Sequence, residues 1–153
     1  MVAAYVETLL EELTGAEKMV PDQDGDYPVR FGDALYYVRI AGAAERPVIQ
    51  VFSVALAEVE ATPKLFEELN NINTQLHFCR CFWVRGQVLF ETEHLGETIS
   101  PPDFKELVVG VAGASDYFGP KLADQFGGKL LFEESKGETY PGGDAAPYFG
   151  GYL

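Results

Sequence analysis

The chain has 153 residues, 47% apolar and 23% charged, which suits one globular domain with a real core. Its 24 acidic residues outnumber 11 basic ones and leave a net charge of −13. A surface of that sign repels phosphate, which argues against nucleic acid and anionic membrane as partners, and no apolar run approaches the length of a membrane span.

The first expected element is an amphipathic helix. Val2, Tyr5, Val6, Leu9, Leu10 and Leu13 recur at helical spacing, Glu7, Thr8, Glu11 and Glu12 fill the other side, and Gly15 ends it. The segment has neither the basic start nor the continuous apolar stretch of a signal peptide, so the expected location is the cytoplasm. Residues 21–26 carry aspartates at alternate positions, like the opening of a calcium loop. The spacing fails, because the twelfth place counted from Asp22 is Asp33 and Gly25 stands fourth rather than sixth. A solvated loop is the better reading.

Three strands are expected next, over residues 27–31, 34–41 and 46–59. In the second, Tyr36, Val38 and Ile40 alternate with Leu35, Tyr37 and Arg39. In the third, Val48, Phe52, Val54 and Leu56 share one face, with Ile49, Val51, Ser53 and Ala55 on the other. The short links favour an antiparallel meander. Thr62-Pro63 opens a second helix, with Leu65, Phe66, Leu69, Ile72 and Leu76 on one side, ending near Leu76. An aromatic hairpin follows over residues 77–90. Gly86-Gln87 suits a type II′ turn, which would set Arg85 opposite Val88, Trp83 opposite Phe90, Cys81 opposite Thr92 and Cys79 opposite His94. Ser100, Pro101 and Asp103 cap the longest helix, which Gly119-Pro120 should break or kink. Residues 121–126 add a last helical stretch and residues 129–132 a possible strand. From Ser135 the composition shifts. The last 19 residues hold five glycines and two prolines with no amphipathic pattern, so a mobile tail over 135–153 is expected.

Candidate chemistry is sparse. The hairpin register would gather His77, Cys79, Cys81 and His94 on one face, and these are zinc-type ligands. Structural zinc hangs from turns that curl around the ion, so strand-borne His-x-Cys-x-Cys spacing reads better as small buried hydrophobes near the sheet margin. Neither cysteine opens a helix, and free thiols fit a reducing compartment. The expectation is therefore no metal, no cofactor and no catalytic residue, with a small metal- or cysteine-dependent enzyme built on that cluster as the alternative. Asn70, Asn71 and Asn73 are poor helix formers late in a helix. They either bond to adjacent backbone, the reading preferred, or touch a bound peptide.

The stronger signal is a surplus of apolar residues on both sheet faces. One hairpin face holds Cys79, Cys81, Trp83, Val88 and Phe90. The other holds Phe78, Phe82, Val84, Leu89 and Leu95, diluted by Arg80, Glu91 and Glu93. A half-solvated antiparallel sheet shows a cleaner polar side. Helices can cover one face, and the second then needs a partner, a second subunit or a client chain, unless the tail or a twisted helix covers it in the monomer. Phe78, Phe82, Val84, Leu89, Asn70 and Asn73 are the expected partner-binding residues, and Trp83 and Phe90 should face the helices.

The element order is helix, three strands, helix, two strands, helix. With residues 69–75, the aromatic hairpin and Phe126-Gly127-Gly128, it resembles the YbjN family, which is similar to class I type III secretion chaperones such as CesT-like proteins. The resemblance covers roughly residues 1–132 and leaves the tail outside, and the expected α+β domain is 1–134. It implies an antiparallel sheet of about five strands with helices on one face. It further implies a small, acidic, non-enzymatic homodimer of the cytoplasm, a chaperone or regulator that holds a polypeptide client along its surface.

Overall fold

The computed structural model describes residues 1–31 and 34–131. The elements are α1 (Val2–Thr14), β1 (Tyr27–Phe31), β2 (Ala34–Ala43), β3 (Arg46–Leu56), α2 (Pro63–Asn73), β4 (Arg80–Val84), β5 (Gln87–Leu95) and α3 (Pro101–Phe126). The strands form one antiparallel sheet in the order β1-β2-β3-β5-β4. This is the expected α+β fold, with one addition: β5 lies between β3 and β4, so β4 becomes an outer strand.

Local chemistry sets the helix ends. Gly15 adopts φ 72° and returns its N–H to the Glu11 carbonyl at 2.9 Å. That conformation costs a residue with a Cβ, which is why glycine stops α1. The Thr62 hydroxyl accepts from Leu65 N at 3.1 Å and the Ser100 hydroxyl accepts from Asp103 N at 3.2 Å, so both later helices start on side-chain caps followed by proline. Packing follows the periodicity. Leu65, Leu69 and Ile72 bury one side of α2, and Val6, Leu9 and Leu10 bury one side of α1.

α3 crosses β2, β3 and β5. Small residues at 112–115 let it lie close to the sheet, where they are buried with Val108, Val111 and Phe118. Ser53 Oγ lies 2.7 Å from the Leu35 carbonyl oxygen and 2.8 Å from Ser115 Oγ, so a buried polar pair is satisfied at that crossing. The sheet face beneath the helices carries Tyr36, Val38, Ile49, Val51, Val88 and Phe90, all buried. α2 packs along β4 and covers the outer edge of the sheet.

Several expectations are corrected. The hairpin turn is Arg85-Gly86, with φ 49° and 80°, rather than Gly86-Gln87. Two left-handed residues match the strand twist, as in a type I′ turn. Val84 therefore pairs with Gln87, Trp83 with Val88 and Cys81 with Phe90. The slip is two residues, so every side chain keeps its face. β3 ends at Leu56 rather than Val59, and its register shifts between Val54 and Leu56. That irregularity turns Leu56 into the core, fully buried opposite Val88, away from Val54. β2 runs two residues further, to Ala43, while α2 stops at Asn73 and β4 starts only at Arg80. α3 continues through Pro120 to Phe126, with Phe118 and Leu122 on either side of the proline buried in the core. Packing on both flanks offsets the missing hydrogen bond. Lys129 forms an isolated bridge with Ala57 in place of a strand. Phe132 and the tail at 135–153 lie outside the described residues.

Candidate functional site

Among the described residues, no helix lies on the second face of the sheet. Alternation and register arrange its side chains in rows across the strands. Arg30 sits opposite Leu35, and Val54, two residues beyond the Tyr37–Phe52 pair, sits beside Leu35. Val54 pairs with Leu89 and Leu89 with Phe82. One row thus reads Arg30, Leu35, Val54, Leu89, Phe82, and the four apolar members are half-buried. The next row reads Pro28, Tyr37, Phe52, Glu91, Arg80, and the third Arg39, Gln50, Glu93. A fourth row, Ala41, Val48 and Leu95, follows at the far end, so apolar side chains stand at both ends of the face with the charged rows between them.

Two ion-paired arginines brace this face. Arg39 donates through Nε and Nη2 to the two carboxylate oxygens of Asp26, each at 2.6 Å, and lies 5.0 Å over the Phe52 ring. Phe52 in turn stacks on Tyr37 at 5.2 Å. Burial, reinforced by Asp22 and Asp26, raises the Tyr37 pKa above its ordinary value. On the other flank Arg80 donates to Glu91 Oε2 at 2.9 and 2.6 Å and lies 5.4 Å over Phe82. Glu91 is 5% exposed and also accepts from Gln50. Each unit joins a buried carboxylate, a half-exposed guanidinium and a phenyl ring. Removing either arginine alone would leave its buried carboxylate without a charge partner. In the sequence Arg80 and Glu91 read only as dilution of an apolar face, Arg39 as one position of an alternating strand and Asp26 as part of a solvated loop. Their pairing depends on cross-strand register, which no local pattern encodes.

The expected partner-binding residues divide into three groups. Phe82, Val84 and Leu89 lie together on the open face. Phe78 does not, because it falls in the connection before β4 with φ 52°, its side chain 87% exposed. Asn70 is exposed on α2. Asn73 bonds to adjacent backbone, the preferred reading. Its Nδ2 donates to the Cys81 carbonyl at 2.9 Å and its Oδ1 accepts from Cys81 N at 2.8 Å. One amide side chain therefore replaces a neighbouring strand at the outer edge of β4. Trp83, on the helix side as expected, donates Nε1–H to the Val59 carbonyl at 2.9 Å and meets Phe66 edge-on at 6.1 Å. Phe90 is fully buried beside Phe118.

The histidine–cysteine cluster does not assemble. Cys79 lies ahead of β4, Cys81 pairs with Phe90, and His94 pairs with Ile49 on the far strand. Among the described residues no three His, Cys, Asp or Glu side chains stand close enough to hold a metal ion. Burial pushes both thiols up to about 12, so they are protonated at neutral pH and poor as nucleophile or ligand. Among the described residues no helix is long and apolar enough to cross a membrane.

The fold is α+β, and its open sheet face is half-apolar and braced by two arginine–carboxylate pairs. The chain belongs to the family described as T3SS (YopN, CesT) and YbjN peptide-binding chaperone 1, whose model matches residues 1–134. It is a peptide-binding chaperone module. Its fold is similar to solved secretion chaperones. One is a chain of the ExsC–ExsE complex, at 15% identity and TM-score 0.60, covering 76% of this chain and 92% of that one. Another is from the Yersinia pestis chaperone SycH bound to a stable fragment of YscM2, at 16% and 0.51, covering 72% and 96%. A third is from the HopA1–SchA chaperone–effector complex, at 16% and 0.54, covering 76% and 94%. A search of curated proteins finds no match.

Proposed function

We propose that the chain is a non-enzymatic cytoplasmic chaperone or regulator that acts as a homodimer and holds a client polypeptide on its open sheet face, through Phe82, Val84 and Leu89, with exposed Phe78 and Asn70 at the margin. The observation that carries this is the half-exposed row of Leu35, Val54, Leu89 and Phe82, which no helix covers among the described residues. Support also comes from the similar chains, described in complex with ExsE, with a YscM2 fragment and with the effector HopA1. Affinity would come from apolar burial with bracing arginines at its margin, a mode that needs no reacting group.

The test is site-specific photo-crosslinking in the native host. A photoreactive residue at Leu89 should give adducts with a polypeptide partner, and one at Lys105, exposed on α3, should not. Equal adducts from both positions, or none from Leu89, would sink the reading. The homodimer is tested by equilibrium sedimentation, where a single-chain mass at high micromolar concentration counts against it.

A further inference from the structure

The described chain leaves the fold at a tied point. After α3, Gly127 and Gly128 take φ 73° and 91°. A Cβ at Gly128 would stand 2.5 Å from Val59 Cγ2 and 2.8 Å from the Ala57 carbonyl oxygen, so only glycine lets the chain pass this close to the end of β3. Lys129 then exchanges both backbone hydrogen bonds with Ala57, at 2.9 and 2.8 Å, and its ammonium meets Glu58 at 3.2 Å. Leu130 packs on the core, and Leu131 is the last described residue. Ala57 stands three residues beyond Val54, about 10 Å at roughly 3.3 Å per residue. The exit therefore lies at the end of the sheet that carries the row of Leu35, Val54, Leu89 and Phe82. The row of Ala41, Val48 and Leu95 is a strand length away.

The sequence beyond the exit divides in two. Residues 132–144 include Glu133, Glu134, Lys136, Glu138 and Asp144, whereas residues 145–153 carry no charged side chain and hold Pro147, Tyr148, Phe149, Tyr152 and Leu153. The family model stops at residue 134, so this second stretch is particular to the chain and not part of the shared domain. We propose that residues 145–153 occupy the row of Leu35, Val54, Leu89 and Phe82 of their own chain, as a built-in occupant that a client must displace. The proposal rests on this face being a polypeptide site and adds how that site is regulated. Residues 132–144 reach about 40 Å when extended, and the row spans four strand spacings, about 19 Å at roughly 4.8 Å each, or about six extended residues. Both lengths suffice. Aromatic rings suit such a row, because they bury a large area while a tyrosine hydroxyl stays in water. Pro147 lacks the N–H that a strand partner needs, which favours lying on the face over pairing at an edge. A tether of this length gives an effective concentration of about 1 mM, so a segment with an intrinsic Kd of about 0.5 mM fills the row about two-thirds of the time and weakens a competitor about threefold. Such an occupant yields to a client and leaves the melting temperature nearly unchanged.

The test is photo-crosslinking in the purified full chain, mixed from isotopically heavy and light protein. A photoreactive phenylalanine analogue at Phe82 should give adducts with residues 145–153 of the same chain, mapped by mass spectrometry. The same group at Leu95, exposed in the far row, or at Lys105, exposed on α3, should give few. A Tyr148→Ser, Phe149→Ser variant should lose the Phe82 adduct. It should also bind a fluorescein-labelled synthetic peptide of residues 145–153 about threefold tighter than the wild type, read by fluorescence anisotropy. Tyr140→Ser, in the connecting stretch, should keep the adduct and the wild-type peptide affinity. Equal adduct yields from all three positions, or equal peptide binding by wild type and the double variant, overturn the proposal. Adducts that join heavy to light chains assign the row to a second copy and also overturn it. Client adducts from Leu89 in the host, with no adduct to residues 145–153 in the purified chain, overturn the proposal and leave the client reading standing. Adducts to residues 145–153 with no client adduct in the host keep the occupant and sink the client role.

Discussion

Asn73→Ala isolates what the side-chain clamp on β4 contributes. The amide makes two hydrogen bonds to one residue, at 2.9 and 2.8 Å, and Cys81 itself is 3% exposed. Each bond is worth about 0.5–1.5 kcal/mol net, and buried peptide groups left without a partner move the cost toward the upper end. The expected loss is about 2–3 kcal/mol. For a chain of this size each kcal/mol shifts the melting temperature by about 3–4 °C, so the midpoint should fall by about 6–12 °C. Asn70→Ala is the control, because Asn70 is exposed and its backbone carbonyl, which alanine keeps, is what accepts from Thr74 N at 3.2 Å. Alanine is the better helix former, so that variant should be neutral or slightly stabilised. Thermal unfolding followed by far-UV circular dichroism reads both. If Asn73→Ala melts with the wild type and with Asn70→Ala, the clamp holds nothing, and the asparagine belongs with client recognition instead.

Phe90→Ala, at a fully buried position stacked on Phe118, should cost about 3–5 kcal/mol in urea unfolding. Phe82→Ala, on the open face, should cost much less and should lose client crosslinking; the opposite ranking would mean the sheet's faces are assigned backwards. Both cysteine thiols have folded pKa values of about 12 against an ordinary 9.0, so burial favours their protonated form. Their contribution to stability should be complete below pH 9 and lost as pH rises from there toward 12. A Cys79→Ala, Cys81→Ala variant should accordingly show a shallower alkaline decline in denaturant midpoint, and an unchanged decline would reject the assignment. Truncation after Glu134 should leave the melting temperature close to that of the full chain, and a large drop would show that the last 19 residues support the fold.

Local pattern in the sequence was enough for the elements themselves and for which residues share a face. Period-two alternation put Phe82 with Leu89 and Trp83 with Phe90, and a hairpin register wrong by two residues did not disturb that, because a slip of two preserves parity. Capping residues Thr62 and Ser100 located two helix starts to the residue. The β3 irregularity that carries Leu56 into the core, the insertion of β5 between β3 and β4, and the clamp of Asn73 on Cys81 were decided by tertiary structure alone. Each depends on which distant strand or helix end arrives alongside, and the energy that selects it is shared between segments far apart in the chain. The same holds for the candidate site. Its apolar members were legible one by one, but the row from Arg30 to Phe82 exists only once four strand pairings have fixed who stands beside whom.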